Sequence, residues 1–513
     1  MKVKPNILFI QVDQMLAASL RAYGNSFCHA PSLDSLAENG VVFESAYCNF
    51  PLCAPSRFSM ASGQLCSAIG AYDNAAEFPA EIPTYAHYLR GMGYHTCLSG
   101  KMHFIGPDQF HGFETRLTAD LYPADFSWVP NWGDEGERDT NDPRSVTISG
   151  VCERSVQIDF DDHVTHEAVQ YLYDRVRGSD QRPFFLQVSF THPHEPYLCQ
   201  QKYWDLYNEN DITQPQIPAL TRDQHDAHSV RLLEDFGMMD VEFSAQDIQR
   251  ARQAYYGSIS YIDEKIDALL NTLKQTGLAE NTAVVFTSDH GEMLGERGMW
   301  FKKHFFEPSL RVPLLIFAPW IKPSRVTTPA SLVDLLPTFC GLASGSPWRA
   351  RTDTTEALEG TDLSQWLSTE KHQAKAEDPE RLIFAEYLAE ATTAPIFMIK
   401  RGKYKFIASS NDPVLLFDLQ DDPLERNNLA SDPAHTALVN EFTQIVSEKW
   451  DEAALANAIR KSQTRRQLIR ASMREGKPAR WNHGESAEES VRWYRGEGTY
   501  NDWAFDYLAP AEN

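Results

Sequence analysis

Cys53-Ala54-Pro55-Ser56-Arg57-Phe58-Ser59-Met60-Ala61-Ser62-Gly63 is the stretch around which the chain is organised. A proline two residues after the cysteine suits the first turn of a helix, where its missing N–H leaves no gap and its φ is preset. That puts Cys53 at a helix N-terminus, where free N–H groups and the dipole favour negative charge. Arg57 follows about one turn later, within reach of an oxygen held near Cys53. Taken alone, such a cysteine is more often a buried structural residue. The remaining chain has to supply the chemistry that separates the two readings.

Upstream, Pro5 to Val12 is an apolar run ending in Asp13-Gln14. It reads as a buried parallel strand that delivers a carboxylate at its carboxyl end, where open α/β sheets place their sites. Downstream, the pattern predicts a helix over 31–39, a strand at Val41-Val42-Phe43, a helix over 85–92 and a strand over 94–99. Residues 106–155, rich in Pro, Asp, Gly and Trp, read as an irregular, function-bearing insertion. Further helices are expected over 165–177 and 245–275, and strands over 183–190, 283–287 and 312–318. The alternation implies an α/β fold with a large doubly wound, mostly parallel sheet flanked by helices. Past residue 370, short strands near 382–384, 396–399, 404–407 and 415–417 suggest a smaller domain with an antiparallel sheet, followed by a long helical stretch over 437–473. The expected division is 1–370, 371–475, and a tail of 476–513 that packs on a neighbouring subunit.

Composition narrows the function. The formal net charge is −24 over 513 residues, which argues against nucleic acid or an anionic membrane as partner. Any anion site must therefore be built from local cations. The eight cysteines include no Cys-x-x-Cys pair, and Met1 to Ile7 shows no export signal. Both features point to a cytoplasmic protein, and no run is long enough to span a bilayer.

The Cys53 string resembles the motif of type I sulfatases, members of the alkaline phosphatase superfamily, in which the cysteine is oxidised to Cα-formylglycine. The resemblance implies a formylglycine-generating enzyme as maturation partner. It also implies one divalent ion, calcium first with magnesium or manganese as alternatives, held by Asp13, Gln14, residue 53, Asp289 and His290. Gln14 departs from the commoner Asp-Asp pair and would be a neutral ligand. Lys101 and His103 in Gly100-Lys101-Met102-His103, His194 in Pro193-His194-Glu195-Pro196, and Lys302 match further family elements. Spacing alone does not separate Lys302 from Lys303, or His194 from His192. In the implied reaction, hydrated formylglycine attacks sulfur and Asp289 accepts its proton. Lys101, Lys302, Arg57 and the ion hold the sulfate oxygens, His194 protonates the leaving oxygen, and His103 helps to release sulfate.

Four segments, 49–57, 70–79, 99–104 and 122–126, look like choline sulfatases, which implies choline-O-sulfate as substrate. A quaternary ammonium has no proton to donate and must be held by aromatic faces and carboxylates. Trp128 matches the family's aromatic contact and Asn74 a polar residue near the sulfate. Glu386 is the candidate carboxylate with Glu390 as rival, and Asp502 is a candidate acid from a neighbouring subunit's tail. A homo-oligomer, dimer or tetramer, is implied. Two other enzyme readings stay open, a phosphonate monoester or phosphodiester hydrolase and an aryl or alkyl sulfatase of other specificity. The non-enzyme reading is an unmodified protein that binds an anion or a metal.

Overall fold

The computed structural model describes residues 4–132, 141–348, 358–369 and 373–476. Asp502 and the tail beyond residue 476 lie outside them. Eight strands form the large sheet: β1 Asn6–Val12, β2 Val41–Phe43, β3 His95–Gly100, β4 Thr115–Arg116, β5 Phe184–Ser189, β6 Thr282–Ser288, β7 Leu314–Phe317 and β8 Ser324–Val326. Their order is β8-β2-β7-β6-β1-β5-β3-β4. β1 pairs in parallel with β5 and β6 and lies between them. β7 alone runs against its neighbours β6 and β2. The central strands are buried along their whole length, so they read as largely apolar runs rather than as alternation.

Helices cover both faces, and several have visible local causes. Pro31 opens the Pro31–Asn39 helix at its first position. Ser244 and Asp247 form a reciprocal capping box at the start of Ala245–Gln275. Ser155 accepts from Ile158 N at 3.1 Å, so the helix expected from residue 165 begins at Val156 and runs to Arg177. The Cys53–Ser62 helix ends on Gly63 at φ 68°, the left-handed conformation in which glycine carries no Cβ penalty.

The C-terminal portion is an antiparallel sheet of β9 Ile383–Tyr387, β10 Ile396–Arg401, β11 Tyr404–Ser409 and β12 Asp412–Asp418. The expected long helical stretch is two helices, Thr436–Lys449 and Glu452–Arg474, parted at Trp450-Asp451. Phe442 of the first packs on Ile399, Phe406 and Leu416 of the sheet. The larger apolar core is continuous from the central sheet through Phe397, Trp450 and Ile459. Among the described residues no helix is long and apolar enough to cross a membrane.

A buried ion cluster ties the small sheet to the large one. Lys405 Nζ on β11 meets Glu307 Oε1 at 2.6 Å and Glu425 Oε1 at 2.9 Å, and donates to Phe305 O at 2.9 Å. Removing the cation leaves two acids facing each other out of water. Lys405→Met should therefore lower stability by about 3–5 kcal/mol. Urea unfolding at neutral pH checks this, through a fall in midpoint at unchanged slope.

Candidate active site

Four adjacent strands, β6-β1-β5-β3, deliver the predicted residues at their carboxyl ends. Asp13 and Gln14 follow β1, Asp289 and His290 follow β6, Lys101 and His103 follow β3, and His194 follows β5. This is the edge at which ligands bind in open α/β sheets. Cys53 opens its helix onto the same place. No side chain of the Leu52 cap position serves that helix end, but Asn74 Oδ1 accepts from Ala54 N at 3.0 Å.

Arg57 joins these strand ends. Nε donates to Asp289 Oδ2 at 2.8 Å and Nη2 to Asp13 Oδ2 at 3.1 Å. Nη1 donates to Lys101 O at 2.6 Å and Ser189 Oγ at 2.8 Å. Lys101 Nζ forms a second ion pair with Asp13 Oδ2. All four charged groups are fully buried. Burial pushes the Asp13 carboxyl up, but the Lys101 ammonium and the Arg57 guanidinium outweigh it and hold the group well below the carboxylate range.

Each aspartate thus spends Oδ2 on cations and turns Oδ1 elsewhere. His290 Nε2 lies 3.6 Å from Asp13 Oδ1, 3.7 Å from Asp289 Oδ1 and 3.2 Å from Cys53 Sγ. His290 Nδ1 is 3.0 Å from Gly291 O, an acceptor only, so Nδ1 carries the proton. Burial lowers the His290 pKa and keeps the ring neutral. Its Nε2 lone pair therefore faces two carboxylate oxygens. Two carboxylate oxygens, a neutral imidazole nitrogen and the Cys53 sulfur converging at this range are a donor set that suits a divalent cation. Asp13, Cys53, Asp289 and His290 are the one such set among the described residues, with ligand atoms within 4.8 Å of one another.

Gln14 is placed differently from expectation. Its side chain turns from the set, donating to Glu195 Oε2 at 2.5 Å and to Glu292 Oε2 and accepting from Lys302 Nζ at 2.6 Å. Only its backbone N–H reaches the set, on Asp289 Oδ1 at 3.1 Å. Two buried glutamates outcompete the ligand role for this amide.

The structure separates the ambiguous pairs. Lys302 Nζ lies 2.7 Å from His194 Nε2, and both residues line a cavity of about 240 Å³ that opens on Cys53. Lys303 Nζ instead pairs with Glu390 Oε1 at 2.7 Å. His192 Nδ1 is bound to Asp161 Oδ2 at 2.7 Å. Asn74, His103, Trp128 and Glu390 also line the cavity. Glu386 does not: its oxygens accept from Ser67 N at 2.5 Å and Trp450 Nε1 at 3.1 Å inside the fold. The choice of Glu386 over Glu390 is corrected accordingly, because β9 turns residue 386 into the interior while residue 390 follows the strand into the cavity wall.

Two residues were missed as site groups. Tyr122 lies in a segment already notable for its family likeness; its ring sits 4.1 Å from Lys101 Nζ and packs against His103 and Trp128. Glu195 adjoins His194 and holds Gln14 and Asn141. His103 is buried with neither ring nitrogen hydrogen-bonded, and burial together with Lys101 pushes its pKa down to about 3. It is a neutral base facing the cavity.

With this geometry in view, the comparisons are specific. The family described as "Sulfatase" matches residues 5–346, and the chain belongs to it. The family "N-sulphoglucosamine sulphohydrolase, C-terminal" matches residues 295–452. The chain is 42% identical over 506 residues to the choline-sulfatase of Rhizobium meliloti (strain 1021), covering 96% of each protein. It is 28% identical over 479 residues to the arylsulfatase of Clostridium perfringens, covering 88% of this chain and 95% of that one. The phosphonate monoester hydrolase of Agrobacterium radiobacter shares the fold, with a TM-score of 0.67 at 23% identity over 87% of this chain and 95% of that one. The chain is a sulfuric ester hydrolase.

Burial pushes Glu386 up to about 7 from the usual 4.5. The folded state then holds this proton where an unfolded glutamate has lost it, so the contribution to stability falls as pH rises from about 4.5 to 7. Glu386→Gln abolishes that fall. Its stability relative to wild type should improve by roughly 3 kcal/mol between pH 5 and pH 8, measured by urea unfolding at both pH values, with substrate preference unchanged.

Proposed function

We propose that the chain hydrolyses choline-O-sulfate to choline and sulfate, with residue 53 acting as formylglycine. The observation that carries this reading is the mixed lining of the cavity at Cys53: Lys302 and His194 line it together with the Tyr122 and Trp128 rings and Glu390 in its wall. Such a wall suits a quaternary ammonium, which is bound by aromatic faces and carboxylate charge rather than by hydrogen bonds. The likeness to the Rhizobium choline-sulfatase over nearly the whole length of both chains supports the same substrate.

Asp13, Asp289 and His290 would hold a divalent ion, calcium by its preference for oxygen donors. Such an ion supplies Lewis-acid chemistry, lowering the pKa of a hydroxyl on residue 53 and neutralising sulfate charge. Arg57 holds both aspartates in place through its ion pairs. Lys101 and Lys302 offer buried ammonium donors to sulfate oxygens, where low dielectric strengthens them. His194 Nδ1 is fixed on Glu195 O at 2.8 Å, so Nε2 faces Lys302. A proton on this Lys302–His194 pair is what the departing alkoxide takes up. The uncharged His103, with both ring nitrogens free of hydrogen bonds, lines the cavity from which sulfate leaves.

Glu390→Gln should lower kcat/KM for choline-O-sulfate at least about fivefold more than for 4-nitrophenyl sulfate, the loss of an exposed-to-desolvated cation contact. Equal losses would remove the ammonium from that wall. A preference for a phenyl phosphonate over both sulfates would overturn the substrate. Mass spectrometry of the Cys53 peptide from the native host should show the aldehyde or its hydrate; an intact thiol would leave a binding protein.

A further inference from the structure

The Glu452–Arg474 helix lies past both family matches, which end at residues 346 and 452. It contributes no side chain to the cavity lining. Its side chains nevertheless reach three separated segments, each next to a cavity residue. Arg466 grips Asp73 with both arms of its guanidinium, Nη1 to Oδ1 at 2.6 Å and Nη2 to Oδ2 at 2.7 Å, with both residues buried. Asp73 immediately precedes Asn74. Gln463 Oε1 accepts from Trp132 N at 3.0 Å and Gln467 Nε2 donates to Pro130 O at 3.1 Å, fixing the chain that leaves Trp128. Arg460 Nη2 donates to Thr393 O at 2.9 Å, and Trp132 Nε1 to Ala389 O at 2.6 Å, on either side of Glu390.

Trp128 and Glu390 are the cavity residues that face the organic half of an ester in the reading above, and Asn74 lines the same cavity. None is a member of the proposed metal set. Asp13, Asp289 and Lys101 are held by strand ends and by Arg57. A fork-to-fork ion pair fixes orientation as well as distance, so a shift of Arg466 moves the Asp73–Asn74 segment.

We infer that the Glu452–Arg474 helix shapes the leaving-group side of the cavity, with Arg466 and Gln463 as positioning residues for Asn74, Trp128 and Glu390. The inference rests on the proposed reading of that wall. It implies a division in which the common sulfate chemistry is built by the sheet, and substrate choice is set by a helix outside the shared family matches.

The test compares the full-length, metal-loaded enzyme with Arg466→Met, Arg466→Lys and Gln463→Leu. Kinetics are measured on choline-O-sulfate and 4-nitrophenyl sulfate, with inorganic sulfate as inhibitor. Arg466→Met should raise KM for choline-O-sulfate about tenfold, change kcat less than about threefold and leave the sulfate inhibition constant within about twofold. Arg466→Lys, which keeps the charge but not the fork, should recover part of KM, and Gln463→Leu should raise it about threefold. An unchanged KM in folded Arg466→Met overturns the inference. So does a parallel rise in KM and the sulfate constant, which would mean general loosening. Should Arg466→Met fail to fold, Gln463→Leu decides by the same criteria. A wild type indifferent between the two esters refutes the substrate reading instead, and the inference is then judged on KM for 4-nitrophenyl sulfate.

Discussion

A guanidinium with no access to water holds the catalytic edge together. Arg57 binds Asp13 after β1, Asp289 after β6, the carbonyl of Lys101 after β3 and the hydroxyl of Ser189 at the end of β5. Four strand ends are thus fixed by one side chain, from a helix whose first residue is Cys53. Burying two carboxylates is costly unless they are paired and hydrogen-bonded. Arg57 and Lys101 meet that condition on the Oδ2 side only. The Oδ1 atoms, which no cationic side chain meets, stand with the His290 lone pair beside them and make the place a candidate cation site. Structural stability and chemistry are here the same electrostatic problem, solved by half from within the protein and completed by a ligand.

Much of this edge was legible because the sequence signals were local. The Pro31–Asn39 and Ala245–Gln275 helices fall within the predicted bounds, since Pro31 and the Ser244–Asp247 box mark their starts chemically. Asp13 and Asp289 were readable because a strand-like run ending in a charged residue describes both a buried parallel strand and its exit, and Lys101 because Gly100-Lys101-Met102-His103 resembles a sulfatase element. The start at Val156 was missed although Ser155 announces it, because the first turns carry Asp159, Asp161 and Asp162 and lack a continuous apolar stripe. The reversed direction of β7 has no local signal; pairing sense is set by where the connection returns.

The pocket was harder to read, and for a definable reason. Choosing between neighbours of one residue type requires the backbone path between them. Phe301 and Lys303 adopt φ of 68° and 81°, and this kink sends Lys302 to Gln14 and Lys303 to Glu390. Residue 301 is further pinned by its N–H on Glu292 Oε1 at 2.6 Å. Glu386 and Glu390 differ in the same way: one is inside β9 and the other beyond it. Periodicity reports the phase of a strand but not which of two interior spaces that phase addresses.

The acid excess of the chain bears on which esters can enter. A net charge of −24 repels a free anion at long range, and local cations must overcome that field before they can hold sulfate. A zwitterionic ester carries no net charge and meets no such barrier, and the cavity lining offers Lys302 to its sulfate and aromatic rings with Glu390 to its ammonium. A neutral-tailed sulfate ester is an anion and is disfavoured twice, once by the field and once by the Glu390 carboxylate in the cavity wall. Part of that wall's charge is already answered by Lys303 at 2.7 Å. The contrast between the two kinds of ester should therefore be a matter of geometry as well as charge, with the aromatic faces of Tyr122 and Trp128 having to meet the methyl groups squarely. Screening by salt weakens the long-range field but leaves desolvated contacts nearly intact, so the preference that survives at high ionic strength is the part the cavity walls themselves provide.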